Sequence, residues 1–159
     1  MQLRILNFNE KDIVLNLYNE AKKQDFCVWN DEYPTMEEIE DDFNTNNLFV
    51  LVDSDEIIGA ISIVPINEMD DIKLWEDSDN ACEIARIVIS KKHQGKGLAK
   101  EMVKLIFPIC KNKGFSSIHL SCQYDNLPAN KTYQKLGFKK VGEKFMYGNN
   151  YNLLEIRLS

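Results

Sequence analysis

A loop that carries two glycines and joins a strand-like apolar run to an amphipathic helix is the feature that most constrains this chain. The apolar run is Ile84–Ile89, and the loop is Gln94-Gly95-Lys96-Gly97-Leu98-Ala99. The first N–H groups of a helix have no partner inside the helix, and the helix dipole is positive at that end. Glycine and alanine keep the backbone open to a ligand. The stretch therefore predicts a site for a ligand that carries a pyrophosphate.

Two common phosphate-binding loops do not fit these residues. The P-loop needs Ser or Thr after its Gly-Lys pair, and here Gly97 follows Lys96. The dinucleotide-binding fingerprint needs a small residue where this chain has Lys100. A plain strand-to-helix turn without a ligand is the structural alternative.

Length and composition limit the class of protein. At 159 residues the chain is long enough for one domain with a sizeable core, and we expect it to span 1–159. No apolar run has transmembrane length, and residues 1–10 lack a signal-peptide core. The cysteines are scattered, without a histidine at ligand spacing, at Cys27, Cys82, Cys110 and Cys122. We therefore expect a cytoplasmic protein with free thiols, without a metal and without a nucleic-acid or membrane partner.

Charge is divided unequally along the chain. Residues 1–80 contain 5 Lys or Arg and 20 Asp or Glu, whereas residues 81–159 contain 14 and 5. A basic half suits a polyanionic ligand, and an acidic half attracts a cationic substrate. Solvated surface charge is the alternative for most of these residues taken one by one.

Apolar periodicity predicts both strands and helices. Strands are expected at 3–6, 48–52, 57–64, 81–89, 117–121, 138–147 and after a turn at 148–150. Helices are expected at 9–23, at 36–44 with Thr35 and Glu38 as a capping box, at 97–113 and at 128–136. Ile13, Leu17 and Ala21 should face the core, and Pro108 should kink the third helix or shift its end. Residues 65–80 should form a loop with a helical turn at 72–75. The predicted fold class is α/β (α+β), with a single mixed, mostly antiparallel sheet of about six to seven strands and helices on both faces.

A second motif lies downstream, at Asn126-Leu-Pro-Ala129-Asn-Lys-Thr-Tyr133-Gln-Lys135-Leu-Gly137-Phe138. Together with Gln94-x-x-Gly97-x-Ala99 it resembles the two signatures of the GCN5-related N-acetyltransferase (GNAT) superfamily, in the right order and spacing. The resemblance covers nearly the whole chain. It implies the GNAT fold, in which the central strand pair at 81–89 and 117–121 splays apart to seat acetyl-CoA.

The resemblance also implies which residues hold acetyl-CoA as co-substrate. The strand before the loop pairs with the pantetheine arm and polarises the thioester carbonyl through the backbone at Ile87, Val88 and Ile89. The phosphates lie on Gln94, Gly95, Lys96, Gly97, Leu98, Ala99 and Lys100. Gln94 replaces a frequent arginine, which weakens the charge but keeps a hydrogen-bond donor. Asn126 binds the pantetheine chain, and Asn130 reaches the cofactor one helical turn later.

Glu83 and Tyr133 are the candidate catalytic residues. Glu83 is a carboxylate in an apolar strand, where burial would raise its pKa and suit it to accept a proton from the amine. An ion pair with Arg86 or a nearby lysine is the alternative. Tyr133 is the implied acid, because a phenol is still protonated when the more acidic thiol leaves as a thiolate. Core packing is the alternative for Tyr133.

Two segments are candidates for the acceptor site. Trp29, Asp31, Glu32 and Tyr33 lie where the family's loop between its first two helices lines that site. The acidic loop Glu68–Asp79, with Trp75, offers a second wall. Aromatic and carboxylate side chains suit a protonated amine, and solvent-exposed surface is the alternative.

These features predict an N-acetyltransferase that moves an acetyl group from acetyl-CoA to a primary amine by direct attack in a ternary complex. The acceptor is expected to be a small cationic amine. A protein Nα- or Lys-acetyltransferase acting on a peptide amine is one alternative, and a non-catalytic acetyl-CoA-binding sensor is another. Whether the chain forms a homodimer is left open.

Overall fold

A computed structural model of the chain describes residues 1–25, 27–65, 69 and 72–159. The described strands are β1 (Gln2–Ile5), β2 (Leu48–Asp53), β3 (Glu56–Val64), β4 (Ala81–Ile89), β5 (Ser117–Gln123), β6 (Lys139–Met146) and β7 (Asn149–Arg157). The described α-helices are α1 (Lys11–Ala21), α2 (Met36–Asn44), α3 (Leu98–Asn112) and α4 (Leu127–Lys135). The strands follow the order β1-β2-β3-β4-β5-β7-β6 in one sheet. Parallel pairing joins β4 to β5, whereas β1–β2, β2–β3, β5–β7 and β6–β7 are antiparallel. The predicted mixed, mostly antiparallel sheet is confirmed.

The chain divides into two compact units. The first contains residues 1–63 and 85–106, and the second contains residues 64–84 and 107–159. The boundary crosses β4 between Ile84 and Ala85, so that β4 contributes to both units.

The core of the first unit lies between α1, α2 and β2–β4. Its buried members are Leu6, Val14, Leu17, Tyr18, Ile39, Leu48, Val50, Ala60 and Val88. Burying one such aliphatic side chain contributes roughly 1.5–3 kcal/mol. Gly59 of β3 is required by close packing, because a Cβ there would lie 2.8 Å from Ile89 Cδ1 and 2.9 Å from the Val88 carbonyl oxygen.

The helix predictions hold with one correction. Thr35 and Glu38 form the predicted capping box of α2. In α1, Val14 and Tyr18 take the buried face with Leu17, whereas Ile13 is 43% exposed. The buried residues follow the i, i+3, i+4 spacing of one helical face, with Val14 and not Ile13 as its first member. The helix predicted at 97–113 is found as α3, Leu98–Asn112, and it continues past Pro108.

The core of the second unit is built around β7, which pairs with β5 on one side and β6 on the other. Tyr151–Glu155 are buried in succession, as expected for an interior strand. The segment before β4 packs on this unit, since Trp75 stacks on His119 with ring centroids 3.8 Å apart. Residues 73–74 form a turn and not the predicted helical turn at 72–75. Of the predicted acidic loop at 68–79, residues 68, 70 and 71 lie outside the described residues.

Candidate functional site

The loop before α3 leaves a row of backbone N–H groups open. Gly95 and Gly97 have φ of +78° and +74°, values that glycine adopts without steric cost. The first described helical bond of α3 runs from the Glu101 N–H to the Gly97 carbonyl oxygen, at 3.2 Å. Among the described residues, none accepts a hydrogen bond from the backbone N–H groups of 95–100. Because residues 94–97 are exposed, the loop offers backbone donors suited to an anion.

The side chains of this loop contribute less than the sequence suggested. Both N–H groups of the Gln94 amide are used inside the first unit, donating to Gln24 Oε1 at 3.0 Å and to the Ile89 carbonyl oxygen at 3.1 Å. The Gln94 amide is a donor, as predicted, but its described partners lie in the protein, and its contact with the cofactor stays a prediction. Lys96 is exposed and Lys100 half-buried, and neither forms an ion pair within the described residues.

The strand before the loop contains a local break in its regular conformation. Arg86 has φ of +50°, which is uncommon for any residue other than glycine. It directly precedes Ile87, Val88 and Ile89, the predicted backbone partners of the acyl group. Ile87 is half-buried, and Val88 and Ile89 are buried, so their side chains anchor this stretch in the core.

A buried polar cluster, here named the Arg86 clamp, was not found from the sequence. Arg86 binds Asp42 of α2 with Nη2 at 2.8 Å and 3.1 Å from the two carboxylate oxygens and Nε at 3.2 Å. Ser62 of β3 donates to the same carboxylate at 2.7 Å, and Arg86 Nη1 donates to the Tyr33 hydroxyl at 2.8 Å. Burial disfavours the guanidinium cation, but Asp42 more than compensates, and the pKa of Arg86 is raised. From the sequence, Arg86 was considered only as an ion-pair partner of Glu83. Its position as a charged residue inside an apolar strand could have indicated a buried polar cluster.

The predicted acceptor loop lies in the first unit and divides into packed and exposed residues. Trp29 packs edge-on against Tyr18, with ring centroids 5.5 Å apart. Asn30 and Tyr33 exchange two backbone hydrogen bonds, of 3.0 and 3.2 Å, and close a turn whose tip is Asp31 and Glu32. The tip residues and Tyr33 are exposed. Carboxylates at an exposed turn remain free to meet a cation.

Glu83 lies in the second unit, in the part of β4 that pairs with β5. The parallel register places Ala81, Cys82 and Glu83 opposite Ser117, Ile118 and His119. Glu83 is half-buried, while Cys82 is buried, with its Sγ 3.7 Å from Cys110 Sγ. The hydrogen bond with the Cys110 thiol, followed by burial, raises the pKa of Cys82, which argues against a covalent role for Cys82.

Tyr133 lies on α4 and packs edge-on against Phe138, with ring centroids 5.9 Å apart. Burial, and secondarily the Cys122 thiol, raise the pKa of its phenol. Tyr133 therefore keeps its proton throughout the neutral range. This state is required of an acid, and it is equally compatible with packing.

The two asparagines of the downstream motif have structural partners within the second unit. Asn126 caps α4, its Oδ1 accepting the Ala129 N–H at 3.3 Å. Asn130 is buried and donates to the carbonyl oxygens of Gln123 and Asn126 at 3.0 and 2.9 Å, while its Oδ1 accepts from Asn152 at 3.0 Å. These bonds explain both residues without a ligand, and their predicted cofactor contacts stay predictions.

The predicted second wall of the acceptor site is corrected by the structure. Trp75 is 6% exposed and its indole N–H donates to the Met69 carbonyl oxygen at 3.0 Å, so it is a core residue. Asp77 accepts hydroxyl hydrogen bonds from Ser116 and Ser117 at 2.5 and 2.7 Å. The Glu155 carboxylate, which is also 2.6 Å from His119 Nε2, accepts the backbone N–H groups of Glu76 and Asp77 at 3.0 Å. The described part of this acidic segment stabilises the fold.

The described residues contain no group of three or more His, Cys, Asp or Glu side chains arranged to hold a metal ion. Within the same residues, no helix combines the length and the apolar character that crossing a membrane requires.

Comparison with known sequences agrees with this architecture. The profile of the Acetyltransferase (GNAT) family matches residues 14–138, and the chain belongs to that family. It is 29% identical to human N-acetyltransferase 8B over 100 residues, which are 62% of this chain and 41% of that protein. The chain therefore spans about two fifths of the length of this relative.

Solved structures show the same fold. The protein yncA from Salmonella typhimurium, determined with its cofactor acetyl-CoA, has a TM-score of 0.80 at 15% identity, covering 100% of this chain and 94% of that chain. A spermidine N-acetyltransferase chimera from Vibrio cholerae and hSSAT has a TM-score of 0.75 at 22% identity, covering 99% and 95%. The predicted GNAT fold is confirmed, and its relatives are named as N-acetyltransferases.

Proposed function

We propose that this GNAT enzyme transfers the acetyl group of acetyl-CoA to a small cationic primary amine by direct attack in a ternary complex. The observation that carries the cofactor assignment is the row of open N–H groups at 95–100, framed by Gly95 and Gly97 in left-handed conformations. Main-chain donors at a helix start bind phosphate oxygens. Lys96 and Lys100 add positive charge on either side.

The chemistry assigns one task to each candidate residue. The amine nitrogen attacks the carbonyl carbon, the C–S bond breaks, and the thiolate takes up a proton. Backbone N–H groups at Ile87–Ile89 would stabilise the developing oxyanion. Glu83 would accept the amine proton, directly or through water, and Tyr133 would protonate the leaving thiolate. Tyr133 can do so because a phenol is protonated at neutral pH, when the leaving thiolate needs a proton.

The acceptor is proposed to be cationic because of the charges on the turn at 30–33. Asp31 and Glu32 are exposed at its tip, and the turn lies where family members line the acceptor site. Carboxylates there would raise the local concentration of a protonated amine. The structural neighbour named as a spermidine N-acetyltransferase acts on an acceptor of this class. The free thiols of the four cysteines favour a cytoplasmic site of action.

An amine screen tests the proposal. The protein would be incubated with acetyl-CoA and spermidine, simple aminoalkanes, amino acids or peptides with a free N-terminus. Acetylated products would be measured by mass spectrometry, because half-buried Cys27 would react with a thiol reagent. We expect the highest kcat/KM with a small polyamine. Preference for a peptide would identify a protein acetyltransferase, and acetyl-CoA binding without any product would identify a sensor.

A further inference from the structure

Arg86 has a backbone conformation that its own side chain disfavours. At φ of +50° the Cβ of an L-residue crowds the backbone. Arg86 lies inside β4 and directly precedes Ile87–Ile89. Strained residues persist only where their surroundings hold them, and they concentrate at functional sites. The contacts that hold Arg86 therefore indicate the functional role of its left-handed backbone conformation.

These contacts are buried, bidentate and polar. The side chains of Arg86 and Asp42 are 11% and 12% exposed, and the Ser62 hydroxyl donates at 2.7 Å to Asp42 Oδ2, an oxygen that Arg86 also binds. A buried ion pair adds little net stability over apolar packing, because desolvating two charges offsets their attraction. A planar, bidentate pair does fix position and orientation. The benefit of the Arg86 clamp is therefore geometric.

The clamp also reaches an exposed turn. Arg86 Nη1 donates to the Tyr33 hydroxyl at 2.8 Å, and Tyr33 closes the 30–33 turn through its backbone bonds with Asn30. Tyr33 is 41% exposed. One guanidinium thus connects helix α2, the break in β4 and the turn that carries Asp31 and Glu32.

We propose that the Arg86 clamp is a positioning device, in which Asp42 and Arg86 hold the left-handed break of β4 so that a backbone N–H of the Ile87–Ile89 stretch faces the acyl group. Through Tyr33, the same guanidinium fixes the acceptor turn. The inference rests on the proposed function, since the acyl group and the acceptor come from it. Loss of the break lowers kcat, and loss of the Tyr33 bond raises the acceptor KM.

Two substitutions at one position separate backbone conformation from side-chain packing. Arg86→Gly and Arg86→Ala both remove the guanidinium, but only glycine adopts φ of +50° without strain. We expect Arg86→Gly to retain roughly tenfold more kcat than Arg86→Ala, the scale of one left-handed residue, with acceptor KM raised equally in both. If packing alone mattered, alanine would be the better strand residue. An Arg86→Ala variant with equal or higher kcat than Arg86→Gly would overturn the proposal.

A second bidentate pair in the same unit provides the control. Arg4 binds both oxygens of Glu10, at 2.9 and 2.7 Å. Asp42→Asn should lower kcat by roughly tenfold, whereas Glu10→Gln should leave it unchanged, with acetyl-CoA affinity within about threefold in both. Circular dichroism and thermal unfolding would establish that each variant is folded. Equal kcat losses in the two variants would show that the Arg86 clamp only stabilises the fold and would contradict the proposal.

Failure of the clamp can be told apart from failure of the proposed function. If the wild-type protein acetylates no amine, the proposed function fails. Amide hydrogen exchange at Ile87–Ile89 then tests the clamp without turnover. The clamp predicts faster exchange in Arg86→Ala than in Arg86→Gly or the wild-type protein, and identical exchange in all three contradicts it.

Discussion

Helices α3 and α4 differ in the partners of their first backbone N–H groups, which have no acceptor inside the helix. At α4, the Asn126 side-chain oxygen accepts a hydrogen bond from the Ala129 N–H, so one of the first N–H groups of this helix has a partner within the protein. At α3, the preceding loop places Gly95 and Gly97 in left-handed conformations, and no described residue accepts from the N–H groups of 95–100. The exposed N–H groups before α3 are therefore available to a ligand, whereas the start of α4 has an acceptor within the protein.

The difference shows that a polar group in a family motif can serve the ligand or the fold, and only its partners decide between these roles. The α3 loop has open donors from its main chain. Gln94, Asn130 and Asp77 carry the right chemistry but already have partners within their own units. The following substitutions test this division, beginning with the largest expected effect.

Gly97→Glu should weaken acetyl-CoA binding by at least about 100-fold, or roughly 3 kcal/mol. A glutamate strains the left-handed backbone and adds a negative charge where phosphates should bind. Isothermal titration measures the affinity. Gly148→Glu is the matched control, since Gly148 has φ of +79° in the β6–β7 hairpin and open space around it. Equal affinities of the two folded variants would show that the loop does not bind the cofactor.

Tyr133→Phe should lower kcat by roughly 100-fold, the usual scale of lost acid assistance, with acetyl-CoA affinity nearly unchanged. The phenyl ring keeps the packing on Phe138 and removes only the proton donor. Steady-state kinetics and titration separate the two effects. Tyr124→Phe, at a position 47% exposed, is the control. An unchanged kcat would assign Tyr133 to core packing.

Asp77→Asn should destabilise the protein by up to about 2 kcal/mol at neutral pH without changing the acceptor KM. Burial opposes the Asp77 charge, but the Ser116 and Ser117 hydroxyls and backbone N–H groups prevail and lower its pKa from 3.8 to about 2. Because the folded pKa is depressed, the stabilisation is complete above pH 3.8 and disappears as the pH falls through about 2. Urea unfolding of both proteins across this range measures it. A raised acceptor KM would show that Asp77 contributes to the acceptor site.

Glu83→Gln should lower kcat/KM by roughly tenfold near neutral pH and flatten the acidic limb of the pH–rate profile. At high pH the amine arrives deprotonated, and the variant should approach the wild-type rate. Glu143→Gln, on exposed β6, controls for the lost charge. A profile identical to that of the wild type would place the base elsewhere.

Gln94→Ala should have the smallest effect, with acetyl-CoA affinity changed by less than about threefold. Its amide N–H groups are bonded to Gln24 and the Ile89 carbonyl oxygen, so the substitution should instead cost about 1 kcal/mol of stability. Titration and thermal unfolding measure both. A tenfold loss of affinity would mean that Gln94 changes its partners when the cofactor binds.

The sequence predicted what depends on local pattern. The capping box at Thr35 and Glu38, the strand and helix order and the small-residue loop all follow from neighbouring residues. The Arg86 clamp joins Asp42 and Arg86, which are distant in sequence, and the local pattern of apolar residues does not predict such a pairing. The prediction that Trp75 lines the acceptor site was wrong for the same reason, because Trp75 stacks on His119 of β5, a strand far from it in sequence.

In the proposed binding mode, main-chain groups of the α3 loop bind the cofactor phosphates, so a side chain at the tip of this loop can be replaced by a reporter group. Lys96 is exposed and forms no described ion pair, so a cysteine there could carry an environment-sensitive fluorophore next to the cofactor phosphates. Cys82, Cys110 and Cys122 are buried, and half-buried Cys27 is the native thiol to replace beforehand. The labelled protein would report cofactor occupancy in real time, without an acceptor and without turnover.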